Sequence, residues 1–382
     1  MKPIKTISRS LAVSVLGLGL ALPAMAETLN IGWTGPLSGG AAGYGENVLS
    51  GARMAAEEIN ANGGFEVNGT KYTVNLVSMD DKYNPAQAAT NAKRMAQESG
   101  VSVVFVPHSG GVFALQEFNE KENFLIAAYT SVPTVTEKGN SLTIRIPPTF
   151  DGYVRAFSKY ALKNYGKKIG MGGATHEYAK IWASMMKAAW EEGGGEVVAD
   201  NPMDYNKSAD FYTGVSRIMA SNPDVMFVGG ASEPTGLVMQ QARQLGYQGA
   251  FILMDQAKLD EVERIAGGWE MINDSVGIVP LSTYESDAAQ DFIKRYEEKY
   301  NKVPGSEAAY NYLTLYGIVE AVKMGGSTDA KDIRANIGAA MPKLDPAHNP
   351  YEVTDVDEKG GFITETTLAV VENNKLVRKP IE

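Results

Sequence analysis

Short apolar runs alternate with longer amphipathic ones along most of this chain, and that alternation restricts the fold more than any other feature. Strands are read over 29–33, 72–79, 101–106 and 124–128, and helices over 48–60, 86–98 and 112–122. Within 48–60, Val48, Ala52, Ala55, Ala56 and Ile59 share one helical face, whereas 101–106 (VSVVFV) is β-branched and apolar throughout. A second series follows Pro147-Pro148, with helices over 155–164, 181–192, 211–220 and 236–245 and strands over 168–172, 196–199, 224–228 and 251–254. Long helices are read over 287–300 and 308–324, and a closing hairpin joins 366–372 to 375–378 around Glu372-Asn373-Asn374. Alternation of this kind calls for parallel sheets covered by helices on both faces. The expected fold class is α/β, as two doubly wound, Rossmann-like units. No flexible linker separates them, and consecutive prolines stiffen the chain at Pro147-Pro148, the best place for it to cross from one unit to the other.

The first residues do not share this pattern. Lys2, Lys5 and Arg9 precede an uncharged apolar run over 11–22, and Pro23 and Ala24-Met25-Ala26 follow. This order is that of a secretory signal peptide cleaved after Ala26, so the protein is expected to be periplasmic. The apolar run is too short for a comfortable membrane span. Removing residues 1–26 leaves 356, enough for two domains. The formal charge is −10, and −13 once Lys2, Lys5 and Arg9 are discounted. An acidic chain with no basic run repels nucleic acid and anionic lipid, and neither is expected as a partner. The sequence has no cysteine, which excludes a lipid-acylated terminus, a disulfide framework and thiolate chemistry.

In open parallel sheets, ligands sit beyond the carboxyl ends of the strands. Four loops occupy such places: 35–45, which is rich in glycine, Pro107-His108-Ser109-Gly110-Gly111, Tyr129-Thr130-Ser131, and Asp255-Gln256. Catalytic patterns fail. Gly43-Tyr44-Gly45 lacks the third glycine of a dinucleotide fingerprint, and Pro107 stands where a nucleophile elbow before Ser109 needs glycine. His108, His176 and His348 are scattered, so no metal site is expected, and no cofactor either. Asp80-Asp81, ahead of Asn84-Pro85, reads as a solvated acidic turn.

The order of several motifs resembles one family. Ile31-Gly32-Trp33-Thr34-Gly35-Pro36-Leu37-Ser38-Gly39, Tyr44-Gly45, Gly51-Ala52 and Glu58-Ile59-Asn60-Ala61-Asn62-Gly63-Gly64 come first. Asp80-Asp81, Thr143-Ile144-Arg145, Asp224-Val225, Gly229-Gly230, Gln241-Ala242-Arg243-Gln244-Leu245-Gly246 and Asp357-Glu358-Lys359-Gly360 follow. Together they resemble the leucine/isoleucine/valine-binding proteins, type I periplasmic binding proteins of ABC transporters. The resemblance implies two lobes joined by three crossovers, an N-terminal lobe of 27–147 with 280–364 and a C-terminal lobe of 148–279 with 365–382. It implies an aromatic over the ligand at Tyr44 and a carboxylate-holding loop at Ser109, Gly110 and Gly111. It further implies contacts from the next strand end at Tyr129 and Ser131, a second-lobe contact at Tyr178, and an acid for an ammonium group at Asp255. Three departures argue against a branched-chain ligand: Gly110 replaces a serine, Ala231 replaces an aromatic, and the first-lobe disulfide is absent.

The expected activity is therefore capture without catalysis. A small amino-acid-like carboxylate or amide is held between the lobes and handed to an ABC-transporter membrane permease by a monomeric protein. Two rivals are an exported receptor serving a sensor or chemoreceptor, and an α/β enzyme built on Asp255 or Asp80. No nucleophile–base pair supports the enzyme.

Overall fold

A computed structural model describes residues 26–381; residues 1–25, most of the stretch read as a signal peptide, lie outside the described residues. Two sheets organise the molecule. The first holds β1 (Glu27–Gly35), β2 (Phe65–Val67), β3 (Thr70–Asp80), β4 (Val103–Val106), β5 (Leu125–Ala128) and β6 (Thr143–Arg145), in the order β2-β3-β1-β4-β5-β6. The second holds β7 (Lys168–Met171), β8 (Glu196–Asp200), β9 (Val225–Val228), β10 (Ala250–Leu253), β11 (Ser275–Gly277), β12 (Leu368–Glu372) and β13 (Lys375–Lys379), in the order β13-β12-β11-β10-β9-β7-β8. All pairings are parallel except β2 with β3, β11 with β12, and β12 with β13. The central strands β4, β5, β9 and β10 are buried at every residue, as strands covered on both faces must be. This is the α/β fold of two Rossmann-like lobes expected from the alternation.

The chain passes between the sheets three times. It leaves β6 through Pro147-Pro148 for the helix Phe150–Asn164, which packs under β10, β11 and β12. It returns after β11, and the helices Asp287–Tyr300, Ser306–Gly325 and Ala330–Ala340 rejoin the first lobe. It crosses again between Phe362 and β12. Arg145 ties the first and third passages together: its N–H donates to Gly360 O at 2.9 Å, and its carbonyl accepts from Phe362 N at 2.8 Å. Its buried guanidinium reaches Asp357 at 3.6 Å and also donates to Pro147 O.

Several elements differ from the sequence reading. The span 112–122 holds two helices, Ser109–Gln116 and Asn119–Glu122. The break comes where the buried Asn119 amide donates to Phe124 O at 3.1 Å and Leu142 O at 2.9 Å, so the chain must turn inward. The first helix begins at Ala42, inside the glycine-rich loop. Gly45 is required there by packing, because a Cβ would lie 1.6 Å from Pro36 O. The hairpin of β2 and β3 turns at Asn68-Gly69, both at positive φ, and was not read from the sequence. The helices Leu259–Ala266 and Ala330–Ala340 and the strand β11 were also unread. The terminal hairpin is present, with Asn373 and Asn374 both left-handed and Glu372 opposite Lys375.

Gly51 sets how closely the helix Ala42–Ala61 approaches Ser306–Gly325, since a Cβ there would fall 2.0 Å from Ala308 O. Gly51→Ala is expected to destabilise the protein by about 1–3 kcal/mol through overpacking, read from the midpoint of urea unfolding. An unchanged midpoint would show that the two helices part without cost.

Candidate ligand-binding cleft

Residues that follow strands of both sheets converge between the lobes. Tyr129, Thr130 and Ser131 follow β5, Pro107 and His108 follow β4, and Asp255 and Gln256 lie just beyond β10. Tyr44 arrives from the helix Ala42–Ala61, and Tyr178 from the first turn of Glu177–Glu192. With Tyr83, Pro147 and Lys258 these residues enclose a cavity of about 20 Å³, room for roughly one water. A hollow of about 700 Å³ lies among Tyr284, Tyr351 and Arg378 where the passages cross, and the buried Thr364 Oγ1 on its wall also has no partner.

Asp255 organises the polar side. It accepts from Ser131 Oγ at 2.5 Å, from Trp182 Nε1 at 3.1 Å, and from the Tyr178 hydroxyl. Ser131 Oγ also lies 2.6 Å from Tyr178 Oη. Ser131 belongs to the first lobe and the other three to the second, so this network spans the cleft. Burial holds the Tyr44, Tyr129 and Tyr178 phenols well above their ordinary range, and all three stay neutral. The Tyr44 hydroxyl donates to Pro107 O at 2.7 Å, which leaves its ring as an apolar wall beside Tyr129.

Behind this wall stands a second network. His108 Nδ1 accepts from Gly111 N at 2.9 Å, so its proton lies on Nε2, which donates to Asp81 Oδ2 at 2.9 Å. Asp81 also accepts from Thr34 Oγ1 and Tyr83 N, and it is fully buried. The solvated acidic turn read from the sequence is corrected at this residue; only Asp80 keeps partial exposure. Tyr83 lies between His108 and His176, with 4.7 Å between ring centroids on each side, and its hydroxyl accepts from Gln256 Nε2 at 3.0 Å across the cleft. Burial and the neighbouring His108 lower the pKa of His176 to about 3, so it is neutral.

The structure brings Tyr44, Tyr129, Ser131, Tyr178 and Asp255 to the cavity wall. Ser109, Gly110 and Gly111 do not line it. They form the first turn of the helix Ser109–Gln116, where the Gly111 N–H is taken by His108 and a Cβ on Gly110 would press on Pro85. The reading missed Tyr83, Thr130, Gln256 and Lys258. Thr130 and Gln256 lay inside loops already singled out, whereas nothing near Lys258 marks it. Its Nζ is buried, donates to Asp255 O at 3.1 Å and Gln256 O at 3.0 Å, and meets Glu307 Oε2 at 3.2 Å. Two buried atoms at the cavity have no partner, Thr130 Oγ1 and Gln256 Oε1. Among the described residues no cluster of three metal-ligating side chains occurs, and no helix is long and apolar enough to cross a membrane.

A family model described as periplasmic binding protein matches residues 28–375. The chain belongs to the periplasmic binding protein family. An amino acid binding protein of Pseudomonas aeruginosa is 28% identical over 326 residues, covering 84% of either chain. Among solved structures, the branched-chain amino acid binding protein LivJ of Streptococcus pneumoniae, in complex with isoleucine, superposes with a TM-score of 0.77 at 23% identity. That match covers 92% of this chain and all of the other. A solute-binding protein of R. palustris in complex with benzoate gives 0.79 at 18% identity, over 92% and 95%. A periplasmic binding protein works by enclosing a solute, and here the polar groups that could do so come from both lobes.

Proposed function

We propose that this periplasmic binding protein captures a small amino-acid-like carboxylate or amide in the cleft around Asp255 and presents it to an ABC-transporter permease. The lobes are taken as 27–147 with 280–364 and 148–279 with 365–382, joined by the three passages. The protein would work as a monomer in the periplasm after cleavage behind Ala26. One observation carries the reading: a cavity between two lobes, walled from both, holds two buried polar atoms that no protein group satisfies. An amine or amide N–H on the ligand would replace the Ser131 and Tyr178 donors on Asp255. A second N–H would reach Gln256 Oε1, and the Thr130 hydroxyl would donate to a ligand oxygen. Tyr44 and Tyr129 would cover its apolar part. Closing the hinge adds the second-lobe groups, so ligand favours the closed form through its differential affinity. Two solved structures of this fold are complexes with isoleucine and with benzoate, both carboxylates, which supports a carboxylate ligand.

The test is a melting series on the chain from Glu27 against amino acids, amides, small carboxylates and aromatic acids. A true ligand at about 1,000 times its Kd should add roughly 4 kcal/mol. A shift confined to one chemical class, with the compound recovered intact, supports capture. No shift, together with no small molecule released on denaturation by mass spectrometry, sinks the reading.

A further inference from the structure

Beyond the cavity the lobes meet at a second cluster. Asn47 Nδ2 donates to Glu261 Oε1 at 3.1 Å and to Glu307 Oε1 at 2.9 Å. Asn47 and Glu307 come from the first lobe and Glu261 from the second. Gly305 makes room for them, since a Cβ there would lie 2.6 Å from Glu307 Oε1 and 2.8 Å from Glu261 Oε1. The one cation inside the cluster is Lys258, and it pairs with Glu307. Ser306 adds a long hydrogen bond to Glu307 Oε2 at 3.4 Å. Asn47 Oδ1 is buried and has no donor. The closed cleft thus gathers two carboxylates against one ammonium, and is short of donors.

We propose that closing of the lobes takes up one proton, held on Glu261, whose carboxyl shares the Asn47 amide with Glu307. The inference rests on the reading that the cleft closes around a ligand. Lys258 and Asp260 flank it at the start of its own helix, and Arg264 lines the groove one turn on. Ser232 and Glu233 face it from the helix Ser232–Gln244, Lys302 from the loop before Ser306–Gly325, and Glu307 from that helix. Glu261 is half-buried, and its carboxyl accepts from Asn47 Nδ2. Burial first, and Glu307 second, push its pKa up to about 7. With the lobes apart, the carboxyl regains water and an ordinary glutamate value. The pKa is raised by closure, so the closed form is favoured fully below the ordinary value, and that advantage is lost as pH rises through about 7. Capture should weaken on the order of tens of fold between pH 5 and pH 8.

The experiment needs no known ligand. A Cβ on Gly110 would lie 3.7 Å from Glu177 Cβ across the cleft, within the span a disulfide needs. The chain has no cysteine of its own, so Gly110→Cys with Glu177→Cys supplies the only thiols. Pro85, 2.8 Å from the new Cβ, must give slightly. Carboxyl shifts of ¹³C-glutamate-labelled protein are followed from pH 4 to 9, oxidised and reduced, with and without Glu261→Gln. The expected result is one glutamate titrating near pH 7 in the locked protein, absent in Glu261→Gln, with a lower midpoint on reduction. Ordinary titration of every glutamate in the locked protein overturns the proton proposal and leaves closure standing, as does a midpoint that reduction does not move. A cross-link that never forms, seen by mass under oxidising conditions, overturns the closure on which both readings depend.

Discussion

Lys258→Ala is expected to weaken ligand capture about a hundredfold or more, with little loss of fold stability in the separated lobes. The Lys258 and Glu307 side chains are 2% and 1% exposed and lie on opposite lobes. Removing one partner of a buried pair leaves the other charge uncompensated, at about 3–5 kcal/mol. Only the closed form makes this pair, so the cost falls on closure. Glu261 sits in the same cluster, and its carboxyl is then left with even less positive charge nearby. Lys258→Arg should not rescue, because the ammonium serves Asp255 O, Gln256 O and Glu307 in three directions that a planar guanidinium cannot match. Calorimetric titration with whichever compound shifts the melting temperature decides the matter. Affinity within threefold of the parent would show that the pair does not hold the lobes together.

Asp255→Ala carries the other large effect. It strips the acceptor from Ser131, Tyr178 and Trp182, all nearly or fully buried. An unsatisfied buried donor costs about 1–3 kcal/mol, and these three share one carboxylate, so a total of about 3–5 kcal/mol is expected. Trp182 and Tyr178 belong to the same lobe as Asp255, so part of that loss should appear in the unfolding midpoint without ligand. Ser131 lies across the cleft, so the rest should appear as lost binding. Asp255→Asn keeps the volume and two acceptor sites, and should recover most of the stability but not the binding of a cationic group. A variant that binds normally would remove Asp255 from the site.

The candidate site was legible where it rides on secondary structure. Tyr129, Ser131 and Asp255 follow strands whose ends could be placed from apolar runs, and the carboxyl ends of parallel strands are where ligands gather. The same logic also singled out Ser109, Gly110 and Gly111, which do not line the cavity. Their loop also follows a strand, but its N–H at Gly111 is spent on His108, and the glycine at 110 answers to Pro85. Glycine marks close approach in both cases, and a sequence does not say whether the approaching atom belongs to a ligand or to the protein. Asp81 failed for a related reason. An acid beside a turn is usually solvated, and its burial depended on His108, 27 residues away.

What the sequence determined by itself is local: the alternation of strand and helix, the left-handed Asn373-Asn374 turn, and the pause at Pro147-Pro148. Each follows from side-chain periodicity or backbone sterics within a few residues, which any stretch of chain carries with it. What only the tertiary structure decided is the meeting of the lobes. Asn47 finds Glu261 across 214 residues and Glu307 across 260, and Gln256 finds Tyr83 across 173. Such contacts leave no periodic trace, because three passages between the sheets fold distant segments onto one face. Lys258 is an ordinary polar residue in the sequence, and is a buried cation because Glu307 of the first lobe lies against it.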